Sequence, residues 1–318
     1  MDMAKKAILK RSREIEGKNI KGYDFNQTLN YGELIDSFQT TGFQASNLAD
    51  AIKTINEMKK NNAFIFLGYT SNMVSSGLRD VFRYLAEHKM IDVIVTSAGG
   101  IEEDFVKCLG SFKLGKFDSS GAELRKKGIN RIGNIFVPNS RYINFEKFTL
   151  SILEKYKSEM LTPSKLISIL GKEIDNPESI YYWCYKNKIP VFCPAILDGS
   201  LGDMIYFFKS KNRNFKMEIT DDIWELNSIT LGKKKTGMII LGGGVVKHSI
   251  CNANLYRNGA DYAVYINSNP EFDGSDSGAN PEEAKSWGKI RSNANAVKVF
   301  GDATIIFPLI VAKCFVKK

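Results

Sequence analysis

The sequence predicts an α/β protein: a single doubly wound, mostly parallel sheet with helices on both faces, of Rossmann-like type. Three observations lead there. From residue 62 onward, short β-rich runs alternate with helical patterns, as a parallel sheet with crossover helices requires. The runs at residues 63–67, 92–96, 132–137, 190–194, 237–241, 261–266 and 297–300 are apolar nearly throughout, the pattern of strands covered on both sides. Four of them are followed directly, or after a few residues, by glycine-rich or hydroxyl-rich turns, where ligands bind in open α/β sheets.

In chain order, residues 3–12 have helix-forming composition, and residues 1–21 form an N-terminal helix and linker ahead of one domain at 22–318. Leu78, Phe82 and Leu85 share one helical face, and the helix ends at His88, read as a surface residue. Thr162-Pro163 and Asn280-Pro281 pair a capping side chain with a first-turn proline, so each begins a helix. The longest apolar run, residues 303–312, contains Thr304 and Pro308. It is much shorter than the roughly 20 apolar residues that cross a bilayer. It is therefore a core element, and no membrane association is expected.

Composition narrows the function classes. Five cysteines (Cys108, Cys184, Cys193, Cys251, Cys314) lie scattered without CxxC spacing, and the start of the chain lacks the apolar stretch of a secretory signal. Reduced thiols in the cytoplasm are expected. Two histidines and no paired cysteines argue against a metal site. The net charge of +9 is spread over the N-terminal arm, residues 209–216, residues 233–235 and the C-terminus, without interleaved aromatics, so no nucleic acid is expected as partner. The acidic stretch 271–283 stands out in this basic chain.

The strand-end turns are Gly68-Tyr69-Thr70-Ser71-Asn72 with Ser75-Ser76-Gly77, then Ser97-Ala98-Gly99-Gly100 with Glu102-Glu103-Asp104, then Asp198-Gly199-Ser200-Leu201-Gly202-Asp203, then Gly242-Gly243-Gly244 leading to Lys247-His248. Glycine lets a backbone approach a ligand, and free amides at a helix N-terminus suit a pyrophosphate. None is GxGxxG.

The last three of those segments, with Arg131-Ile132-Gly133-Asn134, the run 257–267, the acidic 271–278 and Ser286-Trp287-Gly288-Lys289-Ile290-Arg291, resemble the deoxyhypusine synthase family. The likeness runs with small gaps from about residue 22 to residue 315. It implies an NAD-dependent transferase. In that family spermidine is oxidised, a lysine captures its aminobutyl group as an imine, and the group passes to a lysine of the translation factor 5A precursor, the first step of hypusine formation; the resemblance implies the same here. It also implies a homotetramer with sites at a dimer interface, and an N-terminal helix that covers a neighbour's entrance.

By position, the resemblance makes Lys289 the nucleophile and His248 the base. Burial of Lys289 against Trp287 is expected to favour its neutral amine. For spermidine it assigns Glu102, Glu103, Asp203, Gly243, Asn252, Gly274, Ser275, Asp276, Glu283 and Trp287. A polycation needs carboxylates and an aromatic face. For NAD it assigns Ser71, Asn72, Ser75, Ser97, Ala98, Gly99, Glu103, Asp198, Ser268, Asn269, Asp302 and Ala303, with Glu103 and Asp198 accepting from ribose hydroxyls. Departures from the family pattern are Ser97 in place of Thr, Ser268-Asn269-Pro270 in place of Thr-Ala-Gln, Ser249 after His248, and a shorter connection near residues 155–162. Two alternatives stay open: a homospermidine synthase that uses putrescine as acceptor, and a non-catalytic activating paralogue.

Overall fold

The computed structural model describes residues 2–10 and 12–316. Among the described residues nine strands form: β1 (Phe64–Tyr69), β2 (Val93–Thr96), β3 (Lys113–Leu114), β4 (Ile129–Ile132), β5 (Ile135–Pro138), β6 (Val191–Phe192), β7 (Thr236–Leu241), β8 (Ala260–Asn267) and β9 (Ile290–Phe300). Six of them build one sheet in the order β6-β2-β1-β7-β8-β9, every neighbouring pair parallel. Counting only these six, the order is 3-2-1-4-5-6, that of dinucleotide-binding sheets, and it reverses between β1 and β7.

Each strand of the six-stranded sheet divides its side chains between two cores. Ile65, Leu67, Ile239, Leu241, Val264 and Ile266 face one side, with helices Phe43–Lys60, Leu78–Glu87 and Ala303–Cys314 over them. Phe66, Val93, Val95, Met238, Ile240 and Ala263 face the other, under helix Gly244–Leu255. That is why the strands lack alternation: both faces are dry. Helices Pro163–Glu173 and Pro281–Ser286 start at caps formed by Thr162 and Asn280, as expected. The run 303–312 lies within a core helix, and no described helix is long and apolar enough to cross a membrane.

Three expectations are corrected. The run 132–137 is not a strand of the main sheet: Gly133 (φ +57) and Asn134 break it into an antiparallel hairpin, β4 and β5, in a separate three-stranded sheet with β3. β9 begins at Ile290, well before residue 297, because its first half is a polar edge strand that apolarity does not reveal. The N-terminal helix spans Asp2–Ile8, shorter than 3–12; Arg11 lies outside the described residues, and residues 12–30 carry no helix or strand.

Candidate active site

Helix Gly244–Leu255 rises from the turn after β7. Gly242 there has φ +89, and a Cβ on it would lie 2.8 Å from Thr70 Oγ1, so only glycine lets the two strand ends at the switch point meet. The first turns of this helix carry Lys247, His248 and Cys251. On the opposite wall, helix Pro281–Ser286 and Trp287-Gly288 deliver Lys289, whose carbonyl accepts from Ala260 N at 3.0 Å. Residues 268–280 cross between the walls. The result is a cleft of about 260 Å³ that brings together His248, Gly274, Asp276, Glu283, Trp287 and Lys289.

Within it, Lys289 Nζ lies 5.7 Å from the Trp287 ring centroid, and His248 Nδ1 lies 3.7 Å from Asp276 Oδ1. Asp276 Oδ2 is buried without a partner among the described residues, a free acceptor at the cleft wall. Lys289 is only half-buried and Trp287 is 66% exposed. The enclosed amine expected from the sequence is therefore not formed by the described residues of this chain alone, which leave the indole largely open. Sequence reasoning missed Lys247, Cys251, Ala279, Asn280 and Ala284 in the lining. Adjacency to His248 was the signal for Lys247. Cys251 is no rival nucleophile: it is buried, and burial pushes its thiol pKa up, away from the reactive thiolate.

Ser71, Asn72 and Ser75 sit on the short helix Ser71–Ser75 after β1, and Ser97, Ala98 and Gly99 start the helix Ala98–Leu109 after β2. A Cβ on Gly99 would lie 2.5 Å from Ser71 Cβ, and one on Gly199, beside Asp198, would lie 3.1 Å from Ala98 Cβ. The carboxyl ends of β1, β2 and β6 thus converge. Ser97 caps its helix without a side-chain bond, and its Oγ is buried and unpartnered among the described residues. A waiting hydroxyl beside open helix amides fits an anionic, hydroxylated ligand. Glu103 is buried, takes the Ser75 hydroxyl, and is raised by burial to about 7. Lys107 donates to Val74 O and Ser76 O, and burial lowers it to about 8.

Several predicted residues lie elsewhere. Glu102, assigned to spermidine, accepts from Leu201 N at 2.6 Å and so caps helix Ser200–Lys211; its charge is spent on the helix start. Asp203 sits beside it, exposed, because β6 and the Lys289 wall are at opposite sheet edges. Asn252 faces a separate apolar cavity of about 440 Å³ with Phe192, Ile196 and Leu226. Gly243 packs against Ser277, and Ser275 is held by an Asp273 turn. Ser268, Asn269, Asp302 and Ala303 follow β8 and β9. There Asn267 Nδ2 is a buried donor without a partner among the described residues, while Asp302 caps helix Ala303–Cys314 through Thr304 N at 2.8 Å.

Comparison with known proteins follows the same lines. The profile of the family described as deoxyhypusine synthase matches residues 33–314. A deoxyhypusine synthase of Senecio vernalis is 51% identical over 100% of this chain and 95% of its own length. Homospermidine synthase 2 of the same plant is 49% identical over 100% of this chain and 95% of its own length. The crystal structure of an Entamoeba histolytica protein assigned as a deoxyhypusine synthase matches with a TM-score of 0.68 at 33% identity, covering 93% of this chain and 96% of that one.

Proposed function

The chain belongs to the deoxyhypusine synthase family, and from that membership we propose that it moves the aminobutyl group of spermidine onto a lysine of the translation factor 5A precursor. The observation that carries this reading is the cleft in which Lys289 faces Trp287 across from Asp276 and His248. Asp276 and Glu283 supply carboxylates for the terminal ammonium groups, and the indole face adds about 0.5–2 kcal/mol for a cation. Asp276 beside Nδ1 favours a proton there, which leaves Nε2 of His248 free to take one from the substrate amine. The Lys289 amine then adds to the oxidised carbon, expels 1,3-diaminopropane and retains the four-carbon fragment as an imine. The acceptor lysine displaces Lys289 in the same manner.

NAD, when bound, supplies the hydride acceptor for the oxidation and the hydride donor for the final reduction. The open start of helix Ala98–Leu109, the waiting Ser97 hydroxyl and the glycine contacts around Ser71 and Gly99 fit it; Ser71, Asn72, Ser75, Asp198, Ser268, Asn269, Asp302 and Ala303 would line its path. Within one chain Trp287 at the Lys289 cleft is open to solvent, and Leu197, Ile219, Ile223, Trp224 and Tyr256 are exposed. Both features support a homotetramer whose sites form between copies, with residues 1–21 covering a neighbour's entrance. A cytoplasmic setting suits the free cysteines.

The near-equal identity to the two Senecio vernalis enzymes supports a second reading, with putrescine as acceptor. Incubation of the purified protein with spermidine, NAD and either acceptor decides. Labelled aminobutyl on the factor 5A precursor is expected, along with a borohydride-trapped adduct that Lys289→Arg abolishes. Homospermidine alone establishes the second reading. No transfer to either acceptor refutes both and leaves a non-catalytic paralogue.

A further inference from the structure

Residues 268–280 leave β8 and return to helix Pro281–Ser286 without joining the sheet. A few internal turns satisfy their amides, among them Gly274 N to Glu271 O at 3.2 Å and Gly278 N to Ser275 O at 3.1 Å. The carbonyls of Asn269, Asp276, Gly278 and Ala279 turn the other way, and each receives a lysine N–H. Lys298, from β9, donates to Asn269 O at 3.0 Å and to Gly278 O. Lys247, from the helix after β7, donates to Ala279 O at 2.8 Å and to Asp276 O. Both ammonium groups are withdrawn from water: Lys247 is 2% exposed and the Lys298 side chain 9%.

A buried cation is costly unless its N–H groups are satisfied. Here the hydrogen-bond partners are main-chain carbonyls of one irregular segment, gripped at both ends, and Glu271 Oε1 of the same segment lies 4.0 Å from Lys298 Nζ. We propose that Lys247 and Lys298 form a two-point clamp that sets this segment, and through it Asp276, for binding the polyamine. The placement of Lys247 makes the clamp specific. It precedes His248, so one helical turn holds the Asp276 carbonyl and offers an imidazole to the Asp276 carboxylate at 3.7 Å. Lys247 Nζ also lies 4.7 Å from the Tyr265 ring centroid, which fixes its direction from below. Both lysines are positioning residues: they act on substrate through Asp276 and need not touch it.

The clamp's catalytic consequence rests on the polyamine reading above; its structural part does not. The test uses the full chain with Lys247→Met and Lys298→Met, which keep length and remove the donors, and Lys247→Arg, which restores them. Hydrogen exchange in residues 270–280 is expected to quicken by about tenfold in both Met variants. The KM for spermidine should rise about tenfold, kcat should change less than about threefold, and Lys247→Arg should recover part of the loss. Folded Met variants with wild-type exchange, or with kcat lowered at unchanged KM, overturn the clamp. If Lys247→Met does not fold, Lys298→Met decides by the same two readouts. If the wild-type chain transfers no aminobutyl group, the functional reading fails while the exchange data still decide the clamp.

Discussion

Two adjacent acidic residues, Glu102 and Glu103, are both buried, and they show how environment assigns work to identical side chains. Burial raises both. Glu102 offsets the cost by accepting amide hydrogens at a helix start, whereas Glu103, with the Ser75 hydroxyl and the Lys107 charge nearby, still rises to about 7 from an ordinary 4.5. Between those values the folded chain holds a proton that the unfolded chain has lost. Stability contributed at this site therefore falls as pH climbs from 4.5 to about 7 and then levels. Glu103→Gln removes that dependence, so the melting-temperature difference between variant and wild type should grow with pH across the window. A difference that is the same at about pH 5 and about pH 7 would refute the assignment.

At the scale of elements, helix starts decide what surrounds the cleft. Asn280 caps Pro281–Ser286 and so aims the segment that ends in Lys289. Gly199 gives helix Ser200–Lys211 no side-chain cap, so Glu102 reaches in from a different helix to take the Leu201 amide. Its loss should leave that helix start unsatisfied. Glu102→Ala is expected to lower stability by about 1–3 kcal/mol, read from denaturant unfolding. Glu102→Gln, which retains an acceptor, should recover most of it. Equal losses in the two variants would mean that packing, not the hydrogen bond, holds the helix.

For the whole molecule, the exposed indole of Trp224 (72%), with Ile219 and Ile223 on and beside helix Thr220–Ser228, forms an apolar face that water does not favour. Self-association through it would bury these groups. Sedimentation of the purified chain should therefore show a multimer. Trp224→Glu should weaken association by about thirtyfold or more, as loss of a central aromatic anchor does. A wild-type chain that sediments as a monomer at assay concentrations would rule out this interface.

Local chemistry determined much of this protein. Continuous apolar runs marked the parallel strands, Thr162-Pro163 and Asn280-Pro281 marked helix starts, and contiguous motifs around His248 and Lys289 marked the family, because each signal lies within a few neighbouring residues. Other features belong to segments far apart in the chain. The Gly133-Asn134 turn removed a run from the sheet, and the polar first half of β9 found its partner on β8. Glu102 was taken by a helix start some hundred residues later, and Asp203 and Asn252 fell outside the Lys289 cleft. Only the tertiary structure decided these, since which strand lies beside which is set by burial across the whole sheet, and no short stretch of sequence encodes it.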